Sequence, residues 1–223
     1  SEIIDVIPYF RFARQDRKDE PRVPISTQVI AALIDPWANG VLTLDAHSPA
    51  ALDNALNVRY DNLHSFETAA PYIKSVYKGN LDNLVVMSPD NGGFGRAEKF
   101  AQYIGIETVV GCYKIRERSG GIELMKIAGA EEVQGKNVIL IDDIVDSGST
   151  AVKAATTARQ AGAKAVYTYF THGLFTKGVD CVAQHFDRMY VGDTLKQKQH
   201  DKLEVISFAP LFAQAIHRMS LGM

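Results

Sequence analysis

The chain has 223 residues, 46% of them hydrophobic and 22% charged, with a formal net charge of −2 at pH 7. That profile excludes disordered, collagen-like and low-complexity chains, and the near-neutral balance provides no excess of Lys and Arg for a nucleic-acid backbone. No apolar run reaches the roughly 18 residues of a membrane span, so no membrane partner is expected. The two cysteines, Cys112 and Cys181, stand far apart in apolar surroundings and read as reduced core thiols of a cytoplasmic protein. The sequence opens on Ser1 and enters the apolar run Ile3 to Ile7 without a cap or turn, so it is expected to be cut from a longer chain.

Short apolar runs alternate with stretches of helical period, the pattern of an α/β fold with parallel sheets covered by helices. Strands are expected at Ile3–Pro8, Val41–Asp45, Leu84–Ser88, Thr108–Tyr113, Asn137–Asp142, Ala165–Thr171, Arg188–Val191 and Val205–Phe208. Helices are expected after Ser26 as N-cap, from Phe66 to Tyr77, from Arg96 to Ile104, and from Thr150 to Ala161 with Gly162 as stop. A last helix begins near Pro210, with Leu211, Phe212, Ala215, Ile216 and Met219 on one face. Lys114 to Gly121 is polar and ends in two glycines, and Ile122 to Ile127 then alternates like a hairpin strand. A mobile flap rooted in the sheet is the expectation there.

The strongest chemical signal is the run from Val138 to Thr150, an apolar strand leading into Asp142, Asp143 and Asp146 and then Ser147-Gly148-Ser149-Thr150 at a helix start. Such a turn lies at the carboxyl edge of a parallel sheet, where doubly wound folds bind ligands. It offers hydroxyls and backbone N–H groups to a phosphate, while the adjacent aspartates are placed for ribose hydroxyls or for Mg²⁺. Asp45 and His47 follow an apolar strand with one residue between them, so both are expected on one face, with Asp61 in register.

The run from Val138 to Thr150 resembles the phosphoribosyl-diphosphate (PRPP) signature of the type I phosphoribosyltransferase fold. Tyr9 to Lys18 with Arg22 to Ser26 resembles the ATP-binding stretch of the ribose-phosphate diphosphokinases, the PRPP synthetases. Leu44-Asp45-Ala46-His47, Asp61-Asn62-Leu63 and Ser88-Pro89-Asp90-Asn91-Gly92-Gly93 with Arg96 resemble further elements of that family, in order. Thr171 to Phe175 is similar to its more divergent, archaeal-type members.

The resemblance implies ATP-dependent diphosphoryl transfer to the 1-hydroxyl of ribose 5-phosphate, with Mg²⁺, in a dimer or hexamer of identical subunits. It implies that Arg14, Gln15, Asp16 and His47 meet ATP, and that Asp142, Asp143, Asp146, Ser147, Gly148, Ser149 and Thr150 hold the ribose phosphate. Asp90, Gly92, Gly93 and Arg96 would form the diphosphate loop, Asp45, His47 and Asp90 would meet metal, and Lys114, Arg116 and His47 would be catalytic. It implies two phosphoribosyltransferase-like domains: an incomplete first one over 1–60, a second over 61–205, and a helix over 206–223 returning to the first. Ser147-Gly148-Ser149-Thr150 departs from the family's usual Thr-Ala/Cys-Gly-Thr, and the segment after His47 lacks a Gln- and Gly-Phe-Phe-rich stretch. These departures leave ADP-ribose as an alternative acceptor. A nucleobase phosphoribosyltransferase would use the Asp142–Thr150 run alone and leave Arg14 to Asp16, Asp45 and His47 without a role, and a non-catalytic regulatory subunit is the non-enzymatic alternative.

Overall fold

The structure is a computed structural model, and residues 2–77, 81–115 and 124–221 are described. The chain divides into two compact units, Ser1–Ser65 with Ser207–Met223, and Phe66–Ile206. The division falls after Ser65 rather than after residue 60, because the strand at Arg59–Leu63 pairs with its neighbour in the first unit.

The first unit contains a three-stranded parallel sheet, β1 (Ile4–Ile7), β2 (Gly40–Leu44) and β3 (Arg59–Leu63), in that order. β2 lies in the middle and is buried at every position, as its unbroken apolar run requires. β3 has no place among the expected strands: Arg-Tyr-Asp-Asn-Leu carries neither alternation nor an apolar run, and its pairing with β2 forms it. Helix α1 (Ser26–Ile34) takes Ile25 at the N-cap with no side-chain cap bond, so Ser26 is the first helical residue and not the cap. The short helix α2 (Pro49–Asp53) follows β2. Phe10, Ala31, Val41, Leu52 and Leu56 belong to the core here.

Among the described residues the second unit holds seven strands. They are β4 (Leu84–Ser88), β5 (Val109–Ile115), β6 (Leu124–Ala128), β7 (Asn137–Val145), β8 (Ala165–Gly173), β9 (Arg188–Gly192) and β10 (Leu203–Ile206), in the spatial order β10-β9-β8-β7-β4-β5-β6. All neighbours are parallel except β5 and β6, which form the expected hairpin. Helix α3 (Phe66–Val76) buries Phe66, Ala69, Ala70 and Ile73, and α4 (Phe94–Ile104) buries Ala97, Phe100, Ala101 and Ile104. Both sets follow the i, i+3, i+4, i+7 spacing of one helical face. Phe100 meets Phe66 edge-on at 5.6 Å and stacks on Tyr169 of β8 at 5.9 Å, locking α3, α4 and the sheet together.

Helix α5 (Ser149–Gln160) buries four alanines, Ala151, Ala154, Ala155 and Ala158, so its backbone can approach the sheet closely. It ends with Gly162 in the left-handed region. A four-residue helix α6 (Asp180–Ala183) packs beside α5. The last helix, α7 (Ala209–Ser220), belongs to the first unit, where Arg59 donates to the Met219 carbonyl at 3.4 Å. Phe212 and Met219 are buried but Ile216 is exposed, so its apolar face is narrower than the sequence pattern suggests.

Two further expectations change. The last strand begins at Leu203 and ends at Ile206 instead of spanning Val205–Phe208. Cys112 is buried, but Cys181 is exposed on α6 with its thiol donating to the Lys177 carbonyl at 3.1 Å, because α6 turns that position outward. Both cysteines are free. Among the described residues no helix is long and apolar enough to cross a membrane.

Candidate active site

At the carboxyl edge of the large sheet, β7 outlasts its neighbour β4. Their ladder stops at Met87 opposite Leu140, while β7 continues to Val145 alongside β8. The strand therefore contains Asp142 and Asp143 rather than ending at them, which moves the turn to Asp146–Gly148. Beyond the β4 ladder the carboxylates accept backbone N–H groups. Asp142 Oδ1 accepts from the Asp143 N–H at 2.9 Å and Asp143 Oδ1 from the Ile144 N–H at 2.9 Å.

Arg96 ties these carboxylates to the loop after β4. One guanidinium nitrogen lies 3.1 Å from Asp142 Oδ1 and the other 3.1 Å from Asp143 Oδ2, with the Arg96 side chain 22% exposed. Two adjacent carboxylates out of bulk water repel one another, and a guanidinium fork is the group suited to bridging them. Burial, and then the charge of Asp143, still push Asp142 well above the usual carboxylate range, with Arg96 opposing.

Arg96 reaches them from the first turns of α4, whose start is shaped by the Asp90–Gly93 turn. Asp90 Oδ1 accepts the Gly93 N–H at 2.9 Å, and the Ser88 hydroxyl donates to the Asp90 carbonyl at 2.6 Å. A Cβ on Gly93 would lie 2.9 Å from Ser88 Oγ, so a side chain there would push against the hydroxyl that bonds the Asp90 carbonyl. Gly92 is exposed beside it.

The phosphate-type turn follows β7. Gly148 has φ +77° and serves as the N-cap of α5. Ser147 Oγ lies 3.2 Å from Ser149 Oγ and 3.4 Å from the Ser149 nitrogen, so the two serines brace each other. Thr150 is half-buried in the helix's first turn. Asp146 points to the neighbouring loop, where its Oδ1 accepts the Thr176 hydroxyl at 2.7 Å. Asp142, Asp143, Asp146, Ser147, Gly148, Ser149, Thr150, Asp90, Gly92, Gly93 and Arg96 thus all belong to the second unit and gather at the carboxyl ends of β4 and β7.

Lys114 stands exposed on β5 opposite Met125 of β6. Arg116 and the rest of the expected flap lie outside the described residues.

The first unit carries the remaining expected residues. The turns from Phe10 to Gln15 are pinned to α1 by buried Thr27, whose hydroxyl lies 2.7 Å from the Phe12 carbonyl and 3.1 Å from that of Gln15. Arg14 and Gln15 are exposed, Asp16 is half-buried, and Gln15 lines an open pocket of about 360 Å³ with Arg17, Asp19, Val23 and Ser26.

Asp45 and His47 do not share a strand face. β2 ends at Leu44, and Asp45 has φ +40° with its carboxylate buried while His47 is exposed. The Asp45 carboxylate accepts the Ser65 hydroxyl and backbone N–H and lies 3.5 Å from His64 Nδ1. Asp61 pairs with Leu42 rather than with Asp45, and it is exposed. The residue that shapes this corner is Asn62, whose Oδ1 accepts both the Thr43 hydroxyl at 2.9 Å and the Ala46 N–H at 2.8 Å. An asparagine within a polar run gives no period to betray that role.

Among the described residues no group of three or more His, Cys, Asp or Glu is arranged to hold a metal ion. The expected metal residues divide between the units, Asp45 and His47 in the first and Asp90 in the second. Asp45 accepts from Ser65 and lies beside His64, and half-buried Asp90 accepts the Gly93 N–H.

A family model for the phosphoribosyl transferase domain matches residues 60–202, and one for the N-terminal domain of ribose phosphate pyrophosphokinase matches residues 1–36. A ribose-phosphate pyrophosphokinase of Wolinella succinogenes is 39% identical over 223 residues, covering 98% of this chain and 70% of that protein. The chain belongs to the ribose-phosphate pyrophosphokinase family. The family's protein from Rhizobium meliloti is 38% identical over 226 residues, with 98% of this chain and 71% of that one covered. The crystal structure of phosphoribosylpyrophosphate synthetase from Mycobacterium smegmatis matches with a TM-score of 0.86 at 29% identity, over all of this chain and 73% of that one. The family assignment accounts for the order of the motifs along both units and for the doubly wound sheet that carries the Asp142–Thr150 run.

Proposed function

We propose that the chain transfers a diphosphoryl group from ATP to the 1-hydroxyl of ribose 5-phosphate, giving 5-phosphoribosyl 1-diphosphate and AMP. The observation that carries this reading is the Arg96 bridge, which joins the Asp90–Gly93 turn to Asp142 and Asp143 beside the Gly148 turn. Carboxylates accept hydrogen bonds from sugar hydroxyls, glycine-shaped backbone receives phosphate oxygens, and a guanidinium poised between them suits a diphosphate.

The transfer needs positioning and charge stabilisation more than covalent help. Lys114 would supply positive charge for the charge developing at the phosphorus in flight. Ser147, Ser149 and the N-terminus of α5 would receive the 5-phosphate, while Asp142 and Asp143 would hold the ribose hydroxyls. Arg14, Gln15 and Asp16 would meet the nucleotide. Mg²⁺ fits this set as the counter-ion of ATP: it is a hard cation that takes one or two carboxylates while phosphates and waters supply the rest. Asp90 is the carboxylate to meet it.

Two free cysteines suit a reducing compartment, which supports a cytoplasmic protein. Val29 and Leu33, one turn apart on α1, and the 77% exposed Trp37 are large apolar side chains left at the surface, which suits a homo-oligomer.

The test is release of AMP from ATP and Mg²⁺, with ribose 5-phosphate and ADP-ribose offered separately and products identified by mass. AMP with ribose 5-phosphate is expected. AMP with ADP-ribose alone would reassign the acceptor, and no AMP with either would favour a regulatory subunit.

A further inference from the structure

The segment after β8 is bonded to the phosphate-type turn more closely than a passing loop needs to be. The N–H groups of Leu174 and Phe175 reach the Val145 carbonyl at 2.9 and 3.3 Å, and that of Thr176 reaches the Asp146 carbonyl at 3.1 Å. Thr176 then adds its hydroxyl to Asp146 Oδ1 at 2.7 Å. Asp146 is thereby gripped through main chain and side chain together, immediately before Ser147 and Gly148.

The gripping segment is itself held firmly. Phe175 adopts φ +45°, a conformation that costs a non-glycine residue energy and persists only where the surroundings enforce it. The Gly178 N–H closes on the Phe175 carbonyl at 2.8 Å. Gln197 donates to the Gly173 carbonyl at 3.0 Å, and a Cβ on Gly173 would lie 2.6 Å from the Phe175 ring and 2.8 Å from Val191. On the far side of the turn, buried Val182 of α6 packs directly against Gly148.

We propose that Thr176 is a positioning residue for the sugar-phosphate turn: its hydroxyl fixes Asp146, and through it the directions of the Ser147 to Ser149 groups. Thr176 need not touch the substrate to do so. An anion site made of backbone N–H groups and short hydroxyls binds well only if those groups already converge, because any ordering left to the moment of binding is subtracted from affinity. The inference rests on the reading of Asp146–Thr150 as a phosphate site.

The test compares Thr176→Val, which keeps the shape and the backbone bond to Asp146 but removes the hydroxyl, with Thr176→Ser, which retains it. In steady-state kinetics the valine variant is expected to raise the KM for ribose 5-phosphate roughly three- to tenfold, the range for one lost hydrogen bond. The KM for ATP and kcat should stay near wild type, and Thr176→Ser should restore the KM. An unchanged KM for ribose 5-phosphate, or parallel losses in both KM values and kcat, would overturn the proposal. Calorimetric titration of the same proteins with ribose 5-phosphate and with inorganic phosphate separates this from the broader reading. If wild type releases no AMP, the diphosphotransferase reading fails. Weaker phosphate binding by the valine variant than by wild type and Thr176→Ser would still uphold Thr176, whereas equal binding by all three would refute it.

Discussion

Gly148→Ala tests the central turn most directly. Gly148 has φ +77°, where an alanine loses about 1–2 kcal/mol. Its new Cβ would also lie 2.3 Å from Val182 Cγ2, far inside contact distance, and overpacking a filled site costs about 1–3 kcal/mol. The sum is roughly 2–5 kcal/mol. With a urea slope of about 2 kcal/mol per molar, the unfolding midpoint measured by circular dichroism should fall by about 1–2.5 M. Val182→Ala in the same chain removes the clash but not the backbone strain. In a double-variant cycle the two changes should therefore couple favourably by about 1 kcal/mol or more, since they share one contact. Surviving Gly148→Ala protein should also bind ribose 5-phosphate more weakly. A wild-type midpoint for Gly148→Ala, or strict additivity with Val182→Ala, would refute the claim that this glycine is demanded by both conformation and packing.

The Asp142 carboxyl sits above its ordinary range, so the folded chain holds a proton that the unfolded chain releases. Stability should then fall as pH rises from the ordinary carboxylate range through the raised one. Asp142→Asn should flatten that fall, leaving the variant more stable than wild type at pH 8 and close to it at pH 4; an unaltered slope in urea unfolding against pH would count against this account. Lys114→Ala should lower kcat by about 10²–10³ while ribose 5-phosphate binding by calorimetry stays close to wild type, as for a group acting on charge that develops in the transition state; equal losses in binding and rate would contradict that role. A thiol reagent should modify Cys181 in the native protein and leave Cys112 untouched until denaturant is added, because burial pushes the Cys112 thiol up to about 12. Mass spectrometry of the labelled peptides decides between that pattern and equal labelling.

Several elements were legible in the amino-acid order alone. Val138 to Ile141 are four apolar residues in a row, as suits a strand covered on both faces, and the acid-rich, glycine-bearing run behind them leads into a turn and a helix as its composition suggests. The β5–β6 hairpin, β4 and the helix α5 followed from period and composition in the same way. These signals are local, because side-chain spacing along one element determines which face can be buried.

What only the tertiary structure decided depends on neighbours distant in sequence. β3 exists because β2 offers it a ladder, and β7 runs on past its aspartates because β8 continues beside it although β4 has stopped. Asp45 leaves its strand in a left-handed conformation and turns to Ser65, so the strand alternation that would pair it with His47 does not extend to it. The grip of Thr176 on Asp146 joins residues 30 apart in the chain, and no spacing rule reaches that far. The sequence by itself determined which residues carry charge, hydroxyl and backbone freedom. Pairing partners, which each strand finds only when the sheet assembles, decided where those groups converge.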